Sequence, residues 1–155
     1  MKTARYEYVV IDSGWEGNHD ERGIFHSDAK QLPDMKGLCD YVHSLGLKVG
    51  IHTSPGLVTC SGHEATYGHE QQDARTFADW RIDFVKYDWC SGDQVYKPEQ
   101  MRAAYQIMPD ALKATGRQCS TAFANMEYRM SENGAHPWAG RCGEPRAIYR
   151  AMISR

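Results

Sequence analysis

The chain has 155 residues with 41% hydrophobic content, enough for one domain with its own core. A net charge of -2 and a pI near 6.4 leave no basic footprint for nucleic acid and no field for an anionic membrane surface. No apolar run approaches the roughly 18 residues of a membrane span, and no secretory signal opens the chain.

Met1 to Arg5 lead almost directly into the first apolar run, so the natural start is expected upstream. Tyr8-Val9-Val10-Ile11 has the β-branched character of a strand buried on both faces. Asp12-Ser13-Gly14-Trp15 ends it, and Glu16 to Lys30 reads as a polar loop. Pro33 suits a first helical position, with Asp34 near the positive helix end and Leu38, Tyr41, Val42 and Leu45 on one face. Gly46 stops that helix, and Lys48-Val49-Gly50-Ile51-His52 is the next strand. A Gly-rich loop from Pro55 to Gly68 leads to a helix marked by Ala74, Phe77 and Ala78, then to a third strand, Ile82 to Tyr87. Pro98 opens a third helix carrying Met101, Ala104, Tyr105, Met108 and Leu112, which Gly116 ends.

Strands alternating with helices imply a parallel sheet with right-handed crossovers. Polar residues gather at the C-terminal strand ends: Asp12 and Trp15, His52 and Thr53, Lys86 and Asp88. In (β/α) barrels that edge holds the chemistry, but a complete barrel needs about 250 residues. The expected fold is α/β, a partial (β/α)8 TIM barrel.

Phe84-Val85-Lys86-Tyr87-Asp88-Trp89-Cys90 carries the sharpest chemical signal. Lys86 and Asp88, two apart on a strand, point to the same face, so the ammonium can keep the carboxylate ionised, as a nucleophile must be. A strand-end ion pair without catalysis also fits the spacing, and such structural pairs are common. No Cys-x-x-Cys pair is present, and His69-Glu70-Gln71-Gln72-Asp73 ends in Asp where a zinc helix motif needs His. No metal and no cofactor are therefore expected. Cys39, beside Leu38 in a helix, reads as a buried small hydrophobe, and Glu70 and Asp73 as carboxylates favouring a helix N-terminus.

Val85 to Cys90 resembles the nucleophile segment of melibiase-type α-galactosidases, glycoside hydrolase family 27. Ile11-Asp12-Ser13-Gly14-Trp15 is similar to that family's second strand end, usually Ile-Asp-Asp-Gly-Trp. Gly46 to Gly56 resembles its third strand, and Thr59-Cys60-Ser61-Gly62 with Tyr67 to Ala74 resembles the loop and helix that follow. The resemblance runs in order from about residue 6 to residue 117. It implies strands two to four of the barrel and a retaining double displacement, with Asp88 as nucleophile and a second carboxyl as acid/base. It further implies that Asp12 and Lys86 bind sugar hydroxyls, that Trp15 walls the pocket or packs the barrel, and that Cys60 and Cys90 form a disulfide. That bond favours an oxidising compartment. The implied partner is a galactoside, with α-N-acetylgalactosaminides or β-L-arabinopyranosides as alternatives; an inactive fragment that binds sugar weakly is the other reading.

Ser13 stands where the family has a second Asp, His52 where Tyr is usual, and Arg81 where Gly is usual. His52 keeps a donor for substrate, whereas Arg81 would carry strain if the turn needs positive φ. After Arg117 the family's fifth strand should follow, yet Gln118 to Glu127 has neither strand nor helix period, and Met126, Met130, Trp138 and Cys142 are scattered through the tail to Arg155. Reading the degenerate codons from the third base of each preceding one permits Pro-Val-Leu-Tyr-Ser-Leu-Cys-Gln-Tyr-Gly there. Across Arg141 to Tyr149 it permits Leu-Trp-Arg-Thr-Thr-Gly-Asp-Ile, which resembles the family's acid/base segment. A one-base shift near codon 117 is therefore expected. Residues 6–117 would form the partial barrel, and residues 118–155 an out-of-frame, irregular tail. The acid/base carboxyl is then absent from this polypeptide, and none of Glu127, Glu132 or Glu144 is assigned to that role.

Overall fold

A computed structural model describes residues 6–124 and 148–151. The expected alternation forms a parallel sheet layered with helices. Strand β1 (Tyr8–Ile11) is followed by a short antiparallel hairpin of β2 (Glu16–His19) and β3 (Phe25–Ser27), then α1 (Met35–Ser44). Next come β4 (Lys48–Thr53), α2 (Glu70–Asp79), β5 (Phe84–Asp88), α3 (Met101–Ala114), β6 (Ser120–Ala124) and β7 (Ile148–Ala151). The main sheet runs in the order β6-β5-β4-β1-β7, with every pairing parallel.

Three expectations need correction. The polar segment read as a loop after Trp15 contains the β2–β3 hairpin, because backbone pairing does not require apolar alternation. In α1 the buried residues are Met35, Cys39 and Val42, while Tyr41 and Leu45 are 62% and 58% exposed. Leu38 and Val42 of the expected stripe do pack on the core, while Met35 and Cys39 complete the buried face in place of Tyr41 and Leu45. Finally, the tail is not wholly irregular: Ser120–Ala124 pairs along β5, and Ile148–Ala151 pairs along β1. The open edge of a parallel strand offers a row of N–H and C=O groups, which an extended segment satisfies whatever its side-chain period. Met126, Met130, Trp138, Cys142 and the carboxylates Glu127, Glu132 and Glu144 lie outside the described residues.

The sheet buries two faces. On the outer face Ile11, Val49, Ile51, Val85 and Tyr87 pack against the helices through Cys39, Ala74, Phe77, Tyr105 and Met108. On the inner face Tyr8, Val10 and Phe84 meet, with Tyr8 and Phe84 edge to face at 5.9 Å. Gly50 lets them meet, since a Cβ there would lie 2.7 Å from Phe84 and 3.0 Å from Val10. Each such side chain, fully buried, is worth about 1.5–3 kcal/mol.

Local signals end the elements. Asp34 caps α1, its Oδ1 accepting from Gly37 N at 2.7 Å. The turn from α2 into β5 passes through Arg81 at φ 68°, the positive value that a Gly would adopt freely. Arg117 braces that turn, donating to the carbonyls of Arg81 (2.9 Å) and Ile82 (3.2 Å) and to Asp83 (3.0 Å).

Candidate active site

Strand register builds the site. Ile11 pairs with Ile51, and His52 pairs with Lys86, so residues 12, 52 and 86 fall in one row across three neighbouring strands. In a parallel sheet such residues share a face, and Asp88, two residues past Lys86, shares it too. This row caps the inner cluster of Tyr8, Val10 and Phe84 at the C-terminal sheet edge.

The side chains converge. Lys86 Nζ lies 3.1 Å from Asp88 Oδ2 and 3.8 Å from Asp12 Oδ2. His52 Nε2 lies 3.2 Å from the same Asp88 oxygen. The other imidazole nitrogen, Nδ1, is 2.9 Å from Ser13 Oγ, 3.7 Å from Asp12 and 3.9 Å from Glu16. Asp88 is buried, which pushes its carboxyl pKa up; His52 and then Lys86 outweigh that and hold it below the ordinary value. Burial pushes His52 down, but Asp88 and Glu16 overcome it and raise the imidazole to about 9. The hydroxyl of Ser13 is the nearest neighbour of Nδ1, and Glu16 acts at longer range through its charge. At neutral pH the site therefore holds an ionised Asp88 between two cations.

Not every residue singled out by the sequence meets this space. Asp12, His52, Lys86 and Asp88 come together; Trp15 does not wall an opening. Its indole is 0% exposed, packed against Phe25, Phe77 and Trp80, and its Nε1 donates to the His52 carbonyl at 2.9 Å. A flat apolar ring with one donor suits a core position with a single acceptor, and here it anchors the strand that carries His52. His52 is likewise 1% exposed: Nδ1 lies 2.9 Å from Ser13 Oγ, and Nε2, 3.2 Å from Asp88 Oδ2, is an ion-pair neighbour without a formed hydrogen bond, so the ring is buried beneath the edge where a substrate donor was expected. Ser13 and Glu16 were missed as partners of His52. Positions 13 and 52 are 39 residues apart, and no spacing rule links them.

The expected disulfide is present: Cys60 and Cys90 are bonded, with Cα atoms 5.0 Å apart. It ties the loop after β4 to the end of β5. Ser54 Oγ donates to the Cys90 carbonyl, and Ser91 Oγ donates to Val58 O at 2.8 Å while accepting from Val58 N at 2.9 Å. Cys39 is buried and unpaired, as expected of a small hydrophobe. Ligating atoms of His52, Asp88 and Cys90 lie within 4.8 Å of one another. They do not fit a metal ion: the Cys90 sulfur is consumed by the disulfide, and the other two groups neutralise each other.

Glu70 and Asp73 stand in the first turn of α2, as expected, and Asp73 is buried there. Its Oδ1 lies 2.9 Å from Nε2 of His19, whose Nδ1 lies 2.8 Å from Glu64. The His19 ring is stacked between Phe25 at 4.3 Å and His69 at 4.2 Å. This cluster joins the β2–β3 hairpin to the loop and helix after β4, bracing two segments that leave the site strands.

Comparison with known proteins places this arrangement. The family Melibiase_2, described as Alpha galactosidase A, matches residues 1–137. The chain is 41% identical over 143 residues to Alpha-galactosidase A of Cellvibrio japonicus, covering 89% of this chain and 34% of that protein. It is 40% identical over 118 residues to Alpha-galactosidase A of Homo sapiens, covering 75% and 27%. A solved structure of an α-galactosidase from Saccharomyces cerevisiae with raffinose superposes at a TM-score of 0.71 and 32% identity, covering 76% of this chain and 26% of that one. The chain thus spans about a third of the length of the curated relatives it matches. The sheet is accordingly a portion of a (β/α)8 barrel, and the chain belongs to the alpha galactosidase A family of melibiases.

Proposed function

We propose that this chain carries the nucleophile side of a retaining glycoside hydrolase for terminal α-D-galactosides. The observation that carries the reading is an ionised Asp88 at a barrel strand tip, held by Lys86 and His52 beside Asp12. Asp88 would attack the anomeric carbon as the leaving oxygen departs, forming a glycosyl ester that water later cleaves with retention. Asp12 would accept hydrogen bonds from sugar hydroxyls, and Lys86 would donate to them. Raffinose in the related yeast structure supports a galactoside as substrate. The Cys60–Cys90 bond favours an oxidising compartment.

We also propose the frame shift for residues 118–155 on the codon reading, although the family match extends to residue 137. On that reading the polypeptide has a nucleophile and no acid/base carboxyl. It should react only where the leaving group departs without a proton. α-Galactosyl fluoride is such a substrate: the carbon–fluorine bond breaks as the Asp88 ester forms. Mass spectrometry of the treated chain should find one hexosyl group on the peptide containing Asp88, and none in Asp88→Asn. A folded chain that stays unlabelled would remove Asp88 from the nucleophile's role. Steady release of galactose from raffinose, whose leaving oxygen needs a proton, abolished by Asp88→Asn, would instead show that an acid/base group is present. Codons near Arg117 that cannot encode the shifted product would refute the frame shift.

A further inference from the structure

Cys90 stands two residues past Asp88, and ligating atoms of Cys90, Asp88 and His52 lie within 4.8 Å of one another. In the oxidised chain the Cys90 sulfur is bonded to Cys60. Two further observations single the trio out. His52 is 1% exposed and Asp88 7%, yet His52 Nε2 and Asp88 Oδ1 have no hydrogen-bond partner among the described residues. Buried polar atoms are normally satisfied, so two orphans side by side point to a ligand. The second observation concerns what holds Cys90. Its carbonyl accepts from Ser54 Oγ, and the adjoining Ser91 Oγ meets Val58 O at 2.8 Å and Val58 N at 2.9 Å. These bonds keep Cys90 beside Asp88 whether or not its sulfur is bridged. Cys60 is exposed, in a turn closed by Gly62 N donating to Thr59 O at 2.9 Å. Opening the disulfide therefore frees the outer sulfur and leaves the inner one in place.

We propose that reduction of Cys60–Cys90 turns this end of the sheet into a zinc site formed by Cys90 Sγ, His52 Nε2 and the Asp88 carboxylate. A dithiol supplies two electrons and two protons: the Cys60–Cys90 bond breaks, the dithiol closes its own disulfide, and two cysteine thiols remain. Zn²⁺ then displaces the proton of the Cys90 thiol and the proton on His52 Nε2. A thiolate and a carboxylate balance the two charges of the ion, imidazole is the neutral third ligand, and water completes the tetrahedron. Ligand atoms around tetrahedral zinc lie about 3.5 Å apart, so side-chain rotations close the 4.8 Å trio on the ion. Lys86, 3.1 Å from Asp88, repels zinc; Asp12, 3.8 Å from the same ammonium, offsets it.

Zinc held there takes Asp88 away from an anomeric carbon. That consequence rests on the glycosidase reading, whereas the binding does not.

Zinc titration of the 155-residue chain without air tests this. Cys60→Ser frees the Cys90 thiol with no reductant present and should bind one zinc ion per chain. The oxidised wild type, Cys60→Ser/Cys90→Ser and Cys60→Ser/His52→Gln should each bind at least about tenfold more weakly. The first double variant keeps Cys39, Cys119 and Cys142, so other thiols cannot account for the difference. Cobalt(II) in place of zinc should give a thiolate-to-metal absorption band in Cys60→Ser that further loss of Cys90 removes. Equal zinc affinity with and without the disulfide, or a band that survives the loss of Cys90, would overturn the proposal. If Cys60→Ser fails to fold, wild type reduced by a dithiol and dialysed free of it decides. A reduced wild type that loses its circular dichroism, or takes up no more zinc than the oxidised chain, overturns the proposal as well. With galactosyl fluoride, zinc should block labelling of the reduced chain and spare the oxidised one. Zinc uptake where neither form labels upholds the site and sinks only the glycosidase reading; labelling undiminished by bound zinc overturns the placement on Asp88.

Discussion

Replacing His19 by alanine should be among the most destabilising single changes at the sheet's C-terminal edge. The imidazole is 4% exposed and bonded to two carboxylates, of which Asp73 is fully buried and Glu64 is 37% exposed. Water screens the Glu64 contact, which contributes under about 1 kcal/mol. Asp73 decides the magnitude: stranding one member of a buried pair costs about 3–5 kcal/mol. The pH dependence follows from the direction of the His19 shift. Burial pushes its pKa down, but Asp73 and Glu64 outweigh that and hold it above 6.5. A raised folded-state pKa gives stability that is full below 6.5 and lost as pH rises through the folded value. Chemically, a neutral imidazole has one N–H and can hold only one of the two carboxylates as donor. Urea unfolding across that window should show a decline in the wild type that is smaller in His19→Ala. His52 contributes its own decline to both proteins, so the difference isolates His19. His19→Ala/Asp73→Asn should recover part of the loss, because no stranded charge remains. A loss below about 1 kcal/mol, or identical pH slopes in the two proteins, would refute the reasoning.

Cys60→Ala/Cys90→Ala should lower unfolding free energy by about 3–4 kcal/mol, because the bond closes a loop with a sequence separation of 30; equal urea midpoints would contradict it. Arg81→Gly should stabilise by up to about 1 kcal/mol, relief of positive φ exceeding the loss of the exposed 2.7 Å pair with Asp40. A fall in melting temperature would show that the pair outweighs the strain. Trp15→Phe should cost about 2–3 kcal/mol, since it shrinks a fully buried ring and strips the donor from the His52 carbonyl. Calorimetry would detect it, and an unchanged transition would argue that water or a neighbour replaces the indole N–H.

Much of this protein is local enough to be written in its sequence. β-Branched runs ending in polar pairs mark the strands, and glycine or proline marks the helix ends, because backbone preference and burial period act over a few residues. The Lys86–Asp88 pair follows from strand alternation alone, whereas the positive φ at Arg81 is implied only by the resemblance to a family with Gly there. Tertiary structure decided what depends on residues far apart in the chain. Whether Trp15 faced a ligand or the core depended on Phe77 and Trp80, more than sixty positions later. Sequence alone could not show that His52 Nδ1 meets Ser13 while Nε2 lies beside Asp88, or that Asp73 answers His19. Such partners are set by sheet register and by helix docking on the sheet, and distances in space carry no trace in the spacing of residues along the chain.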